Sequence, residues 1–188
     1  MPLVHQLSAE EAPITIRSFF ANGDPGPIVS TLAHVPDLMK KTLPFVGAAL
    51  GASGIDLRTK EIVILRTSAQ QACSYCIQTH CYAARHAGLT RAEVVSLCQQ
   101  DSSLDVFSNP KEALLIRWSD VVAASAQPVP ETLKQEMNTH FDEAEIVELT
   151  LLVGATVMLN RYATALSLPV DPTHLTYLQA EGLTDLHL

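Results

Sequence analysis

Apolar residues recur at three- and four-residue intervals along most of the chain, and the strict alternation that marks a half-buried strand is scarce. Several helix boundaries can be read directly. Pro36 stands where the first turn of a helix over Asp37–Leu50 tolerates it. Asp56 is placed to cap a helix running through Glu61, Ile62, Ile64 and Leu65. Gly88 can close the helix before it, and Thr90 with Glu93 has the form of a capping box that opens the next. Further helices are expected over Lys111–Ser125 and, after Pro128 and Pro130, over Glu131–His140. Asp142 with Glu145 repeats the capping-box pattern, Asp replacing Ser or Thr, at the head of an apolar helix reaching about Leu166. The first 25 or so residues, the Gly23–Pro27 turn and the stretch after Pro169 read as irregular.

These elements predict an all-α protein with an N-terminal arm (1–25), one helical domain (26–168) and a C-terminal tail (169–188). An internal echo runs through it. Glu61-Ile62-Val63-Ile64-Leu65 and Glu145-Ile146-Val147-Glu148-Leu149 agree at four of five positions, and both lie near the start of a long helix, as an internal helical duplication would place them. On that superposition Cys73 falls on Val157, Cys76 on Asn160 and His80 on Thr164, so only the first copy carries reactive groups.

Composition narrows the function classes. A chain of 188 residues with 47% hydrophobic and 17% charged residues is neither disordered nor collagen-like. A net charge of −8 argues against a sequence-independent grip on nucleic acid or on anionic lipid. The apolar stretch Leu149–Leu159 is broken by Thr150, Gly154 and Thr156 and reads as too short to span a bilayer. The first eleven residues show neither the basic start nor the apolar run of a signal peptide, so the expected location is the cytoplasm. Four cysteines are too few for a disulfide framework.

Two of those cysteines, however, sit three apart in the pattern Glu61-x11-Cys73-x2-Cys76-x3-His80. On one helix, Cys73, Cys76 and His80 would form a single stripe at i, i+3 and i+7. His80 could then reach the Cys76 thiol and favour its thiolate. A bend near Gln70-Gln71 would fold the chain into a hairpin in which Glu61 meets and orients His80. Carboxylate, imidazole and thiol would make a proton relay. Haem attachment is excluded, because Ile77 rather than His follows Cys76. A thioredoxin domain is excluded by the lack of a strand before Cys73. A structural zinc site, with Cys81, His86 or Glu61 as fourth ligand beside Cys73, Cys76 and His80, stays open, as does a buried apolar role for both cysteines.

At these residues the chain resembles the AhpD-like alkylhydroperoxidase and carboxymuconolactone decarboxylase family, and the likeness extends through Pro36–Gly88 and Glu112–Leu166, including Asn160-Arg161. The resemblance implies an all-helical homo-oligomer, trimer or hexamer, that reduces hydroperoxides. By position it implies attack by Cys76, resolution by Cys73 as a disulfide, and proton relay by Glu61 and His80. It calls for no cofactor or metal. It does call for a dithiol reductant: a lipoyl or thioredoxin-like protein, or a small thiol. Decarboxylase and lactone-processing members of the superfamily need no Cys-x-x-Cys. Physical reasoning divides over the nucleophile, since a helix N-terminus favours a thiolate at Cys73 and proximity to His80 favours Cys76. Well-known AhpD members carry a histidine between the cysteines, where this chain has Ser74-Tyr75. A phenol, with a pKa of about 10, does not replace that base, but Tyr75 can donate a hydrogen bond. His34 is an accessory candidate for the same pocket, with a helix-end role as its alternative. Cys81, Cys98, Trp118 and Met158 read as core, and Arg161 as half of an ion pair within or between subunits.

Overall fold

A computed structural model describes residues 2–99, 104–124 and 128–183 of the chain. Nine α-helices lie among the described residues: α1 (Pro27–Leu32), α2 (Pro36–Leu50), α3 (Leu57–Gln70), α4 (Ser74–His86), α5 (Arg91–Cys98), α6 (Pro110–Ala124), α7 (Glu131–His140), α8 (Glu143–Leu166) and α9 (Pro172–Ala180). No strand occurs among those residues. The expected caps are in place. Asp56 accepts the Thr59 amide, and Thr90–Glu93 and Asp142–Glu145 both form reciprocal capping boxes. The end expected for α6, Ser125, lies outside the described residues.

α3 is the axis of the fold. Every residue from Lys60 to Ala69 is buried, because α4, α5, α6 and α8 all pack against it. On one side Ile62 and Leu65 join Ile77 of α4, Leu97 of α5 and Leu178 of α9. On the other, Val63 and Ile64 join Leu115 of α6, Leu133 of α7 and Leu152 of α8. A helix wrapped this way holds a side chain to a fixed direction, which is what a site on it requires.

Two charged side chains lock α3 in rotation. Arg58, at its start, donates to the carboxylates of Glu93 and Glu112 and to the Gly88 carbonyl, tying α3 to α5 and α6. Lys60 is fully buried. Its ammonium donates to the carbonyls of Ala49 (3.1 Å) and Gly51 (2.5 Å) and pairs with Glu148 of α8 at 2.7 Å. Those carbonyls close the C-terminal end of α2, so one cation satisfies acceptors that the end of that helix leaves open. Glu61 is the next residue.

Four expectations need correction. The tail after Pro169 is not irregular: Asp171 caps α9 through the Thr173 amide, Pro172 occupies its first turn, and the helix docks on α4. The N-terminal arm forms a 3-10 helix over Ile14–Phe20, and Ala12, Ile16 and Phe20 pack with Leu32 and Met39 in a core of their own. α1 follows Gly26-Pro27, where no helix was expected. Met158 is not core but 42% exposed on α8, whereas Trp118, Cys81 and Cys98 are buried as expected. α8 is also long and apolar enough to cross a membrane by length and hydropathy alone, although its inner face packs on α2, α3, α4 and α6.

Candidate active site

The site forms where α3 ends and α4 begins. After Gln71 the chain breaks at Ala72, which takes a left-handed conformation (φ 48°). The Cys73 amide then donates back to the Ser68 carbonyl at 3.1 Å, closing α3 in the manner of a Schellman motif. Gln71 fastens the bend to α6 through the Ala123 carbonyl at 2.8 Å. On the echo register this break aligns with Ala155–Val157 of α8, where the helix runs unbroken.

Cys73 is therefore the N-cap of α4 and not part of its helical stripe. Its sulfur accepts the Cys76 amide at 3.4 Å and lies 2.7 Å from the Cys76 sulfur. At that separation the two sulfurs share one hydrogen, and a closure of well under ~1 Å reaches the disulfide bond length of about 2.05 Å. The shared hydrogen with Cys76, together with the α4 amide and nearby Thr164 and Asn160, pulls the Cys73 thiol down to about 6 against the cost of burial. The same sharing, with burial, pushes Cys76 up. The two opposite shifts favour Cys73 as the site of the first thiolate.

The helix hairpin carries Glu61 to His80. The His80 ring donates from Nδ1 to Glu61 Oε2 at 2.9 Å, which leaves Nε2 as the ring's free nitrogen. Among the described residues no hydrogen bond joins His80 to either sulfur. His80 and Cys76 instead line one cavity of about 120 Å³. Its apolar wall is formed by Ile28, Val46, Leu50, Ile64 and Leu159, and its polar side by Ser68, Tyr75, Thr79 and Asn160. Cys73 lies behind Cys76 and does not line it. The Tyr75 phenol is pushed up to about 12, first by burial and then by the charge on the sulfurs, so it serves as a neutral hydrogen-bonding group. His34 lies outside the cavity lining; it is exposed, and its Nε2 bonds the His5 carbonyl at 2.7 Å. Among the described residues no group of three or more His, Cys, Asp or Glu side chains is arranged to hold a metal. A larger groove of about 470 Å³ between α2 and α8 is lined by Phe45, Val147, Leu151 and Met158, with no titratable or nucleophilic side chain.

Comparison with known proteins fits this geometry. Residues 36–119, a little under half of the chain, match the model of the carboxymuconolactone decarboxylase family, and the match contains Glu61, both cysteines and His80. A solved protein of unknown function from Agrobacterium tumefaciens, described as a candidate antioxidant defence protein AhpD, is 26% identical. It superposes with a TM-score of 0.68 over 75% of this chain and 97% of its own. The chain is similar to AhpD-like proteins and, over residues 36–119, to the carboxymuconolactone decarboxylase family. An uncharacterised Bacillus subtilis strain 168 protein, YdfG, is 27% identical over 114 residues, 61% of this AhpD-like chain and 77% of its own length. A variant of the debrominase Bmp8, solved with 2,3,4-tribromopyrrole, shares the fold at 18% identity and a TM-score of 0.77 over 96% of this chain and 98% of its own. One fold therefore frames more than one reaction, and the chemistry of this AhpD-like chain has to be argued from its own side chains.

Two side chains at the site, Asn160 and Thr164, had little signal in sequence. Asn160, fully buried on α8, donates to Ser68 of α3 at 3.0 Å and acts on both cysteines, favouring their thiolates. Thr164, one turn on, reaches Cys73. In the sequence Asn160 appeared beside Arg161 within the family likeness and as the unreactive counterpart of Cys76 in the internal echo. Its partners stand some 90 positions away, beyond the reach of helical periodicity.

Proposed function

We propose that this protein is a thiol-dependent hydroperoxide reductase that cycles Cys73 and Cys76 between dithiol and disulfide. The observation that carries this reading is the pair of sulfurs 2.7 Å apart at a cavity that also holds the Glu61–His80 pair. Cys76 lines the cavity and is the attacking sulfur. Cys73, already anionic, takes the proton of Cys76 as that attack begins. The Cys76 sulfur bonds to the terminal peroxide oxygen, the O–O bond breaks, and the departing alkoxide takes a proton delivered through His80 and leaves as an alcohol. Glu61 holds the imidazole in one orientation through Nδ1, leaving Nε2 toward the reaction. The Cys73 thiol then attacks the Cys76 sulfenic acid, forming the disulfide and releasing water. The sum is two thiols and a hydroperoxide giving a disulfide, an alcohol and water.

A dithiol donor, a lipoyl or thioredoxin-like protein or a small thiol, restores the pair, and the reducing cytoplasm is the compartment that suits such a cycle. The active form is a homo-oligomer, trimer or hexamer. Exposed apolar side chains on α2 (Leu38, Phe45) and α8 (Val147, Leu151, Met158) support a subunit contact there.

Hydroperoxide consumption with a dithiol donor tests the reading in wild type, Cys73→Ser and Cys76→Ser. Turnover is expected only in wild type, with a trappable sulfenic acid in Cys73→Ser and none in Cys76→Ser. Full turnover in Cys76→Ser would remove the mechanism. Decarboxylation or lactone chemistry requires neither sulfur, so activity of that kind would survive both substitutions.

A further inference from the structure

Asn160 has one polar end satisfied and one not. Its Nδ2 donates to Ser68 Oγ at 3.0 Å, and the side chain acts on both cysteines, favouring their thiolates. Its Oδ1 is buried and has no hydrogen-bond partner. The side chain is wholly buried, so water from bulk does not relieve that oxygen, yet the residue lines the cavity together with Cys76 and His80. A buried acceptor without a donor is a costly feature that packing alone does not explain. It is explained by a ligand that brings the donor with it.

We infer that the Asn160 carboxamide is the substrate-orienting group of this site, its Oδ1 accepting the O–H of a small hydroperoxide while its Nδ2 is anchored on Ser68. This rests on the peroxidase reading above and adds a catalytic residue to it. The chemistry selects the ligand. The oxygen that Cys76 must attack is the one that carries hydrogen, so a bond from that O–H to Asn160 aims the reacting oxygen rather than the alkyl group. As the S–O bond forms and the O–O bond breaks, the electron pair leaves on the alkoxide, which takes its proton through His80. The hydrogen held by Asn160 stays on its oxygen and becomes the sulfenic O–H, so the contact persists through the step. Ser68 fixes the amide in this orientation, since Nδ2 points to it. The cavity's 120 Å³ and its apolar wall suit a compact alkyl group such as tert-butyl and not a long chain.

The test compares two electrophiles on the reduced protein in single-turnover experiments at one pH. One is tert-butyl hydroperoxide, read as Cys73–Cys76 disulfide by mass spectrometry. The other is iodoacetamide, which has no O–H on its reacting atom, read as alkylated Cys76. For Asn160→Ala the hydroperoxide rate is expected to fall roughly 10²-fold further than the alkylation rate, which absorbs any change in the sulfurs' own reactivity and leaves the signature of a lost hydrogen bond to substrate. Asn160→Leu keeps the side-chain shape and is read in the same way should the alanine variant not fold. Parallel loss of both reactions, or retention of both, would overturn the role of Asn160. A wild-type protein that alkylates but fails to react with hydroperoxide would overturn the peroxidase reading itself.

Discussion

Cys73 and Cys76 lie 2.7 Å apart, yet only Cys76 faces the cavity, while Cys73 is the favoured site of the first thiolate. Division of labour follows from placement. An N-cap sulfur receives the amide of its own helix and is the better anion, and the sulfur one turn further reaches substrate. The first prediction concerns titration. Thiolate absorbance of the reduced protein is expected to rise as pH increases through about 6, with Cys73→Ser abolishing that step. Cys76→Ser should move the step upward, because the hydrogen shared with Cys76 is its largest cause. Since the folded value is depressed, the stability contributed by the Cys73 thiolate is present at alkaline pH and is lost as pH falls through about 6.

Glu61→Gln and His80→Ala should each lower turnover with a small alkyl hydroperoxide by roughly 10²–10⁴-fold, the range for a positioned acid–base group. The double variant should be little slower than either single one, because carboxylate and imidazole act as one unit. Steady-state kinetics check this, with disulfide formation under excess diamide as the control for intact sulfurs.

Glu148→Ala leaves the Lys60 ammonium buried on two carbonyls without its carboxylate. A loss of about 1.5–3 kcal/mol in urea unfolding is expected, the range for a hydrogen bond to a charged group. Leu178→Ala, which empties the contact of α9 with Ile77 and Cys81, should cost about 2–5 kcal/mol by the same measurement.

Leu151→Asp places a charge in the exposed apolar groove of α2 and α8. On the proposed homo-oligomeric reading, light scattering after size exclusion is expected to show an oligomer for wild type and a monomer for the variant, with far-ultraviolet circular dichroism unchanged. An unaltered mass would move the subunit contact elsewhere on the surface.

Much of this architecture was legible because caps and hydrophobic spacing are local. Asp56, Thr90–Glu93 and Asp142–Glu145 announce their helices, and the bend near Gln70-Gln71 already pairs Glu61 with His80. The hairpin was readable, but its end was not. Ala72 adopts a left-handed conformation usually marked by glycine, so nothing in the sequence signalled that Cys73 would leave the helix and become its cap. α9 was overlooked for a different reason: Asp171-Pro172 is a valid start signal, but the segment it opens is short and its apolar face is sparse. Met158 fits an apolar period, and periodicity does not distinguish a buried face from one that awaits a neighbour. Asn160 was hidden by distance along the chain, since its role exists only once α8 lies against α3.

The central claim is that Cys73 and Cys76 are a redox pair driven by hydroperoxide. Its most direct test is to add one equivalent of tert-butyl hydroperoxide to the fully reduced protein and map the cysteines by mass spectrometry. Consumption of the peroxide, loss of two hydrogens per chain and a single Cys73–Cys76 disulfide are expected, with Cys81 and Cys98 still free. Peroxide left unconsumed, or both active-site cysteines still fully reduced, would contradict it.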